Sequence, residues 1–329
     1  MKSIALIGEC MIELNGEPFS SMQQTYGGDS LNTAVYLSRL AGNSCSVHFA
    51  SAMGEDALSR EMILRWQSEG VKTDTVLIDS EHQPGLYLIQ LDASGERTFL
   101  YWRNNSAARY LLRHPKYDEL EAALLDKDCL YLSGISLAIL PDADREILVE
   151  LLQQASSQGI KIVFDSNYRP ALWQDEVSAR NAYRQILAVT DLALVTNDDE
   201  QALWGDSSDQ ETLVRLAASG VKAAVLKRGS EACLWRDFAN DKACDVTPNK
   251  VAKVVDTTSA GDSFNAGFLA GFLNDLPAEE CALLGHQTAS RVIQHKGAII
   301  DKHLMADLTN LFARDLVESD LCPTRKNDS

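Results

Sequence analysis

The chain has 329 residues, 45% of them apolar, with 30 basic against 47 acidic side chains and a formal charge of -17. This length fits one large α/β domain or two smaller ones. The acidic balance speaks against nucleic acid as a partner, because that affinity rests on neutralising phosphates, and the lack of any run of about 18 apolar residues excludes a helical membrane span.

The N-terminus, Met-Lys-Ser-Ile-Ala-Leu-Ile-Gly, has neither the h-region nor the cleavage site of a signal peptide, so Ser3–Gly8 reads as a first strand. Met11–Tyr26 is expected in a small sheet outside the main one. Gly27-Gly28-Asp29-Ser30-Leu31-Asn32 then opens a helix. The glycine pair could let the backbone approach a ligand, with Asp29 and Asn32 reaching hydroxyls. A plain loop with an Asp or Ser N-cap explains it equally well. Val47–Ala52 reads as a strand and Ala57–Glu69 as an amphipathic helix. Gly85–Asn104 has two β-rich arms around Asp-Ala-Ser-Gly, which predicts a hairpin with a three-residue loop Ala93-Ser94-Gly95 and Gly95 left-handed. That register sets Tyr87 opposite Tyr101, with Arg103 on the same face.

Further on, Cys129–Leu132, Lys161–Phe164, Leu192–Val195 and Ala223–Leu226 are short apolar runs, each followed by a polar crest, and Asp142–Ser157 is helical. Repeated βα units predict a parallel sheet with helices on both faces. Ligands bind such sheets at the carboxyl ends of the strands, where the crests lie. In Asn167-Tyr168-Arg169-Pro170, Arg169 could join Arg103 in gripping a carboxylate; a surface salt bridge is the commoner role for either. Asn197-Asp-Asp-Glu200 could hold Mg²⁺ directly or through water, or form a capping box. Lys227-Arg228-Gly229-Ser230 could line a nucleotide pocket or be an ordinary charged turn, followed by a strand at Ala232–Trp235.

The last crest is the most informative. Asp256-Thr-Thr-Ser-Ala-Gly-Asp262 runs into a helical pattern with Phe264, Phe268 and Phe272 on one face. Gly267 and Gly271 are costly inside a helix and imply a close neighbour. Unpaired N–H groups and the macrodipole make a helix N-terminus an anion site. Asp262 in its first turn is placed to take a proton from an alcohol receiving phosphate, with a pKa that the dipole should depress. There is no Gly-Lys dipeptide and so no P-loop, no dinucleotide fingerprint after the first strand and no nucleophile elbow. The seven cysteines show no C-x-x-C spacing, which suggests reduced thiols and a cytoplasmic protein. The six histidines form no zinc pattern. Cys322–Ser329 reads as a polar tail.

Asp256–Asp262 resembles the second signature of the ribokinase-like (PfkB) carbohydrate kinases; Gly27-Gly28 with Asn32 resembles the first, and Asn197-x-x-Glu200 the family's N-x-x-E motif. Ser259 stands where that signature commonly has Gly. Gly8-Glu-Cys-Met-Ile-Glu-Leu14, Gly95–Arg103 and Asn167–Pro170 are similar to members acting on 2-dehydro-3-deoxygluconate. The resemblance implies a ribokinase-like three-layer α/β fold over residues 1–315, with lid segments near 10–26 and 78–106. It implies ATP-dependent phosphorylation of that sugar acid at its 6-hydroxyl, in Entner–Doudoroff-type breakdown. It makes Asp262 the base and the N–H groups of Ser259, Ala260 and Gly261 the anion hole. Gly28, Asp29, Asn32, Tyr87, Tyr101, Trp102, Arg103 and Arg169 would hold the sugar acid. Asn167, Arg169, Lys227, Arg228, Gly229, Ser230 and Ser259–Gly261 would hold ATP, and Asn197 and Glu200 would hold Mg²⁺ through water. A monovalent cation requirement stays open, and a dimer through the lid is implied. The alternatives are a kinase of the same family for fructose or 5-dehydro-2-deoxygluconate, and a sugar-binding regulator without catalysis.

Overall fold

Successive strand residues point into two different cores, and this alternation organises the molecule. The computed structural model describes residues 1–17, 19–91 and 97–309. In chain order its strands are β1 (Lys2–Ile7), β2 (Met11–Gly16), β3 (Met22–Gly27), β4 (Cys45–Gly54), β5 (Val76–Asp79), β6 (Leu86–Leu91) and β7 (Arg97–Trp102). They continue as β8 (Cys129–Ser133), β9 (Lys161–Asp165), β10 (Leu192–Thr196), β11 (Ala223–Lys227), β12 (Cys233–Asp237) and β13 (Lys242–Val246). The helices are α1 (Asp29–Ala41), α2 (Ala57–Ser68), α3 (Tyr117–Leu124), α4 (Gly134–Ala138), α5 (Asp142–Ser157), α6 (Glu176–Leu187), α7 (Asn197–Trp204), α8 (Asp209–Ala218), α9 (Ala260–Leu273) and α10 (Ala278–Val292).

Nine strands form one sheet in the order β13-β12-β11-β10-β9-β8-β1-β4-β5, parallel except at the β11–β12 and β12–β13 pairings. Ala5, Ile7, Leu130, Leu132, Ile162 and Phe164 face α3 to α8. Their neighbours Ile4, Leu6, Cys129, Tyr131 and Val163 face α1, α2, α9 and α10. A sheet buried on both sides must be apolar at every position, as these strands are. Local signals agree with this layering. Asp56 caps α2 by accepting from Ser59 N at 2.9 Å, and Ser133 and Ser136 form a capping box on α4.

The helix α9 is buried nearly all round, so it packs against neighbours on several sides. A Cβ on Gly267 would lie 2.5 Å from the Leu284 carbonyl oxygen, and one on Gly271 would lie 2.8 Å from Cys281 Sγ. From the other helix, Gly285 admits the Phe264 ring in the same way, at 2.9 Å. The close neighbour implied by the two glycines is therefore α10, and the seam carries glycines on both sides.

The remaining strands form a separate sheet, β3-β2-β6-β7, in which β2 and β6 are parallel and the other pairings antiparallel. Tyr87 pairs with Tyr101, their rings 6.0 Å apart, as the hairpin register requires. The loop Ala93–Gly95 and the tail 322–329 lie outside the described residues. One face of the small sheet carries its own little core of Met11, Tyr87 and Ile89. The other face sets Ile12, Leu14, Tyr26 and Leu86 onto the core under α1 and α2. β5 pairs with β4 in the large sheet, so the stretch after Asp79 leads from one sheet into the other.

Candidate active site

The site grows from three strand and helix ends. β9 ends in Asp165, α1 begins with Asp29, and α9 begins beside Ser259 and carries Asp262 in its first turn. Asp256 organises the turn before α9: its two carboxylate oxygens accept from Thr258 N and Gly297 N, each at 2.9 Å. Ser259 then takes a left-handed conformation, φ 63°. That explains why glycine suits this position and why serine costs backbone strain there.

Asn32 Nδ2 donates to Asp262 Oδ2 at 2.9 Å, and Thr33 Oγ1 donates to the Asp262 carbonyl at 3.3 Å. Burial, with the Asp29 and Asp165 carboxylates nearby, pushes Asp262 up to about 7, against the hydrogen bond from Asn32. The expected depression by the helix dipole is thus corrected: loss of water and two like charges outweigh half a charge at the helix end. Asp29 is also raised, mainly by burial, and accepts from Asn167 Nδ2 at 2.6 Å. Asn167, with φ 27°, therefore serves the acidic cluster directly.

Lys227 is the buried counter-charge. Its Nζ donates to Asn265 Oδ1 at 2.9 Å and to Asp165 Oδ1 at 3.2 Å, and it lies 3.7 Å from where a Cβ on Gly261 would sit. Asn265 Nδ2 in turn donates to Asp165 Oδ2 at 2.9 Å and to Tyr131 OH at 3.2 Å. The arrangement puts a proton acceptor, a fixed positive charge and a helix N-terminus together, which suits moving a phosphoryl group onto a hydroxyl.

Several sequence assignments change. The Ala260 N–H donates to Thr257 O at 3.1 Å, so it is already used and does not point at an anion. Gly28 meets the chain itself: a Cβ there would lie 2.1 Å from the Glu9 carbonyl oxygen. Trp102 pairs with Leu86, so the pleat turns it away from Tyr87 and Tyr101, and it is 59% exposed. Arg103 is paired with Glu9, and Arg169 with Asp199 at 3.3 Å. Neither is a free guanidinium, although both charges act on the Tyr101 phenol. Arg228 binds Asp209 at 2.9 Å and the Ala232 carbonyl at 2.7 Å, the behaviour of a charged turn, with Gly229 left-handed beside it and Ser230 exposed.

The acidic crest changes most. Glu200 is bound to Arg215 at 2.6 Å and buried, and burial raises it to about 6 despite that partner. Thr196, not Asn197, precedes the helix, so no capping box forms. Among the described residues no group of three His, Cys, Asp or Glu side chains could hold a metal.

Sequence reading gave no role to Asp165, Asn265, Tyr131 or Glu9. Asn265 alone carried a local signal, a polar residue inside the apolar run of α9. A cavity of about 580 Å³ between residues 249–252 and α10 was also unforeseen, lined by Asn249, Lys250, His286, Gln287, Ser290 and Arg291 among others.

The pattern of the pfkB family carbohydrate kinases matches residues 1–304. The chain belongs to this family. A 2-dehydro-3-deoxygluconokinase of Haemophilus influenzae is 53% identical over 95% of this chain and 100% of its own length. One of Escherichia coli K12 is 45% identical over 92% and 99%. Among solved structures, a Thermotoga maritima 2-dehydro-3-deoxygluconokinase superposes with a TM-score of 0.80 at 19% identity, covering 94% of this chain and 98% of its own. That likeness places the nine-stranded sheet and the small second sheet in the ribokinase-like fold of the pfkB kinases.

Proposed function

We propose that this pfkB kinase transfers the γ-phosphoryl group of MgATP to the 6-hydroxyl of 2-dehydro-3-deoxy-D-gluconate, giving the 6-phosphate and ADP. The observation that carries the reading is Asp262, a carboxylate in the first turn of α9 that accepts from Asn32 Nδ2 at 2.9 Å; burial raises its proton affinity to about 7. A base balanced near neutrality can accept the hydroxyl proton as the oxygen attacks phosphorus and the bond to the β-phosphate breaks. Asn32 fixes its orientation. The Gly261 N–H, in the first turn of α9, where amides lack intrahelical partners, and Lys227 beside it would meet the charge on the transferring group. The nearly full-length match to kinases of this sugar acid supports the substrate.

Mg²⁺ would arrive with the nucleotide as MgATP, since Glu200 is committed to Arg215. The cavity beside α10 is of a size to take the nucleoside. No helix among the described residues is long and apolar enough to cross a membrane, and the six described cysteines are unpaired thiols; both fit a cytoplasmic enzyme.

A coupled ADP-release assay over 2-dehydro-3-deoxy-D-gluconate, 5-dehydro-2-deoxy-D-gluconate and fructose tests the substrate. We expect kcat/KM for the first to exceed the others by at least about 100-fold, as befits a site that hydrogen-bonds its substrate. Equal or better use of fructose would overturn the assignment. The exposed Leu100 and Trp102, at 39% and 59%, support a dimer through the small sheet. Sedimentation of the intact chain checks this, and a monomer at assay concentration would refute it.

A further inference from the structure

Glu9 has no part in the reaction as described. It lies in the short connection from β1 to β2 and is only 3% exposed. Its Oε2 accepts from Arg103 Nη2, so the pair joins the segment entering the small sheet to the segment leaving it. A buried ion pair is favourable only when its remaining lone pairs and protons also find partners. Here they do not: Glu9 Oε1 and Arg103 Nε are both buried without a partner.

The surroundings of this incomplete pair are those of the sugar-acid residues. The Glu9 carbonyl lies against Gly28, next to Asp29, and its Oε1 would lie 3.1 Å from a Cβ on Gly85. The Arg103 guanidinium stands 5.8 Å from the centre of the Tyr101 ring. One unpaired acceptor and one unpaired donor, on side chains already in contact, call for a ligand that offers a hydroxyl to the first and an oxygen acceptor to the second. Any polyhydroxy compound has both, and the charge on the guanidinium favours one whose acceptor is a carboxylate.

We propose that Glu9 is a specificity-determining residue, which holds Arg103 in place and accepts a hydrogen bond from a substrate hydroxyl at Oε1. Arg103 Nε donates to a carboxylate or keto oxygen of the same molecule. This rests on the sugar-acid reading above and names the residue that enforces it. A neutral sugar offers the Arg103 donor only a hydroxyl oxygen, a weaker match than the charge-assisted bond to a carboxylate, and a second carboxylate on the ligand is repelled by Glu9.

The test is steady-state kinetics of the full chain and of Glu9→Gln, which keeps the shape and removes the charge. The sugar-acid KM is expected to rise at least about tenfold, equivalent to about 1.4 kcal/mol, while the ATP KM stays within about twofold and kcat falls far less than KM rises. Glu9→Asp keeps the charge but retracts it, and should lie between the two. A folded Glu9→Gln with unchanged sugar-acid KM overturns the proposal, as does equal damage to the ATP KM, which would mark a purely structural role. If Glu9→Gln does not fold, an unchanged sugar-acid KM in Glu9→Asp overturns it instead. Wild-type chain without turnover on the sugar acid would refute the substrate reading itself, which is a different failure.

Discussion

Asp262→Asn is expected to lower kcat by about 10²–10⁴-fold, the range a positioned general base supplies, while the fold and ATP affinity persist. The amide can still accept from Asn32, so the change removes the proton acceptor and little else. In the wild-type chain activity should rise with pH through about 7, where the Asp262 carboxyl loses its proton. The same group affects stability with a definite sign. Its proton leaves the unfolded chain near the ordinary value of 3.8 but stays on the folded chain to about 7. Between those values the folded state binds more protons, so rising pH destabilises it. Asp262→Asn removes that penalty and should melt at a higher temperature than wild type at pH 8, with the gap closing toward pH 4. Near-normal turnover in the variant would sink the mechanism, and a lower melting temperature at pH 8 would sink the electrostatic account.

Lys227→Met should be the most damaging change to the fold near the site. Lys227 and Asp165 are a buried pair at 3.2 Å, tied further through Asn265. Removing one member leaves the other as an uncompensated buried charge, at a cost of about 3–5 kcal/mol. Urea unfolding should show that loss. The double variant Lys227→Met/Asp165→Asn should recover part of it, because the stranded carboxylate is gone. Turnover should remain low in both, since each lacks the positive charge beside Gly261. A single variant as stable as wild type would show that the pair is not the fixed counter-charge described above.

What the chain disclosed in advance was whatever its local pattern encodes. Short continuous apolar runs ahead of polar crests marked the strands, the hairpin composition placed Tyr87 opposite Tyr101, and two glycines in an apolar helix announced a tight neighbour. What stayed hidden depends on partners far away in the chain. Glu9 meets Arg103 across 94 residues, and Asn265 meets Tyr131 across 134. Nothing local distinguishes Glu9 from a solvated acid, or Glu200 from a metal ligand before Arg215 is seen beside it. The Asp262 proton affinity is hidden for the same reason. The helix end is visible in the sequence, whereas the neighbouring carboxylates and the burial are not.

The seam between α9 and α10 has one more consequence. With glycines on both sides and core all round, the interior amides of α9 can exchange with solvent only when the whole large core opens. The small sheet rests on a cluster of three buried residues and part of one face, and can open at a lower free energy. The packed body of α9, which carries the proton acceptor at its start, thus belongs to the last part of the molecule to let go, and the small-sheet residues that choose the substrate to the first.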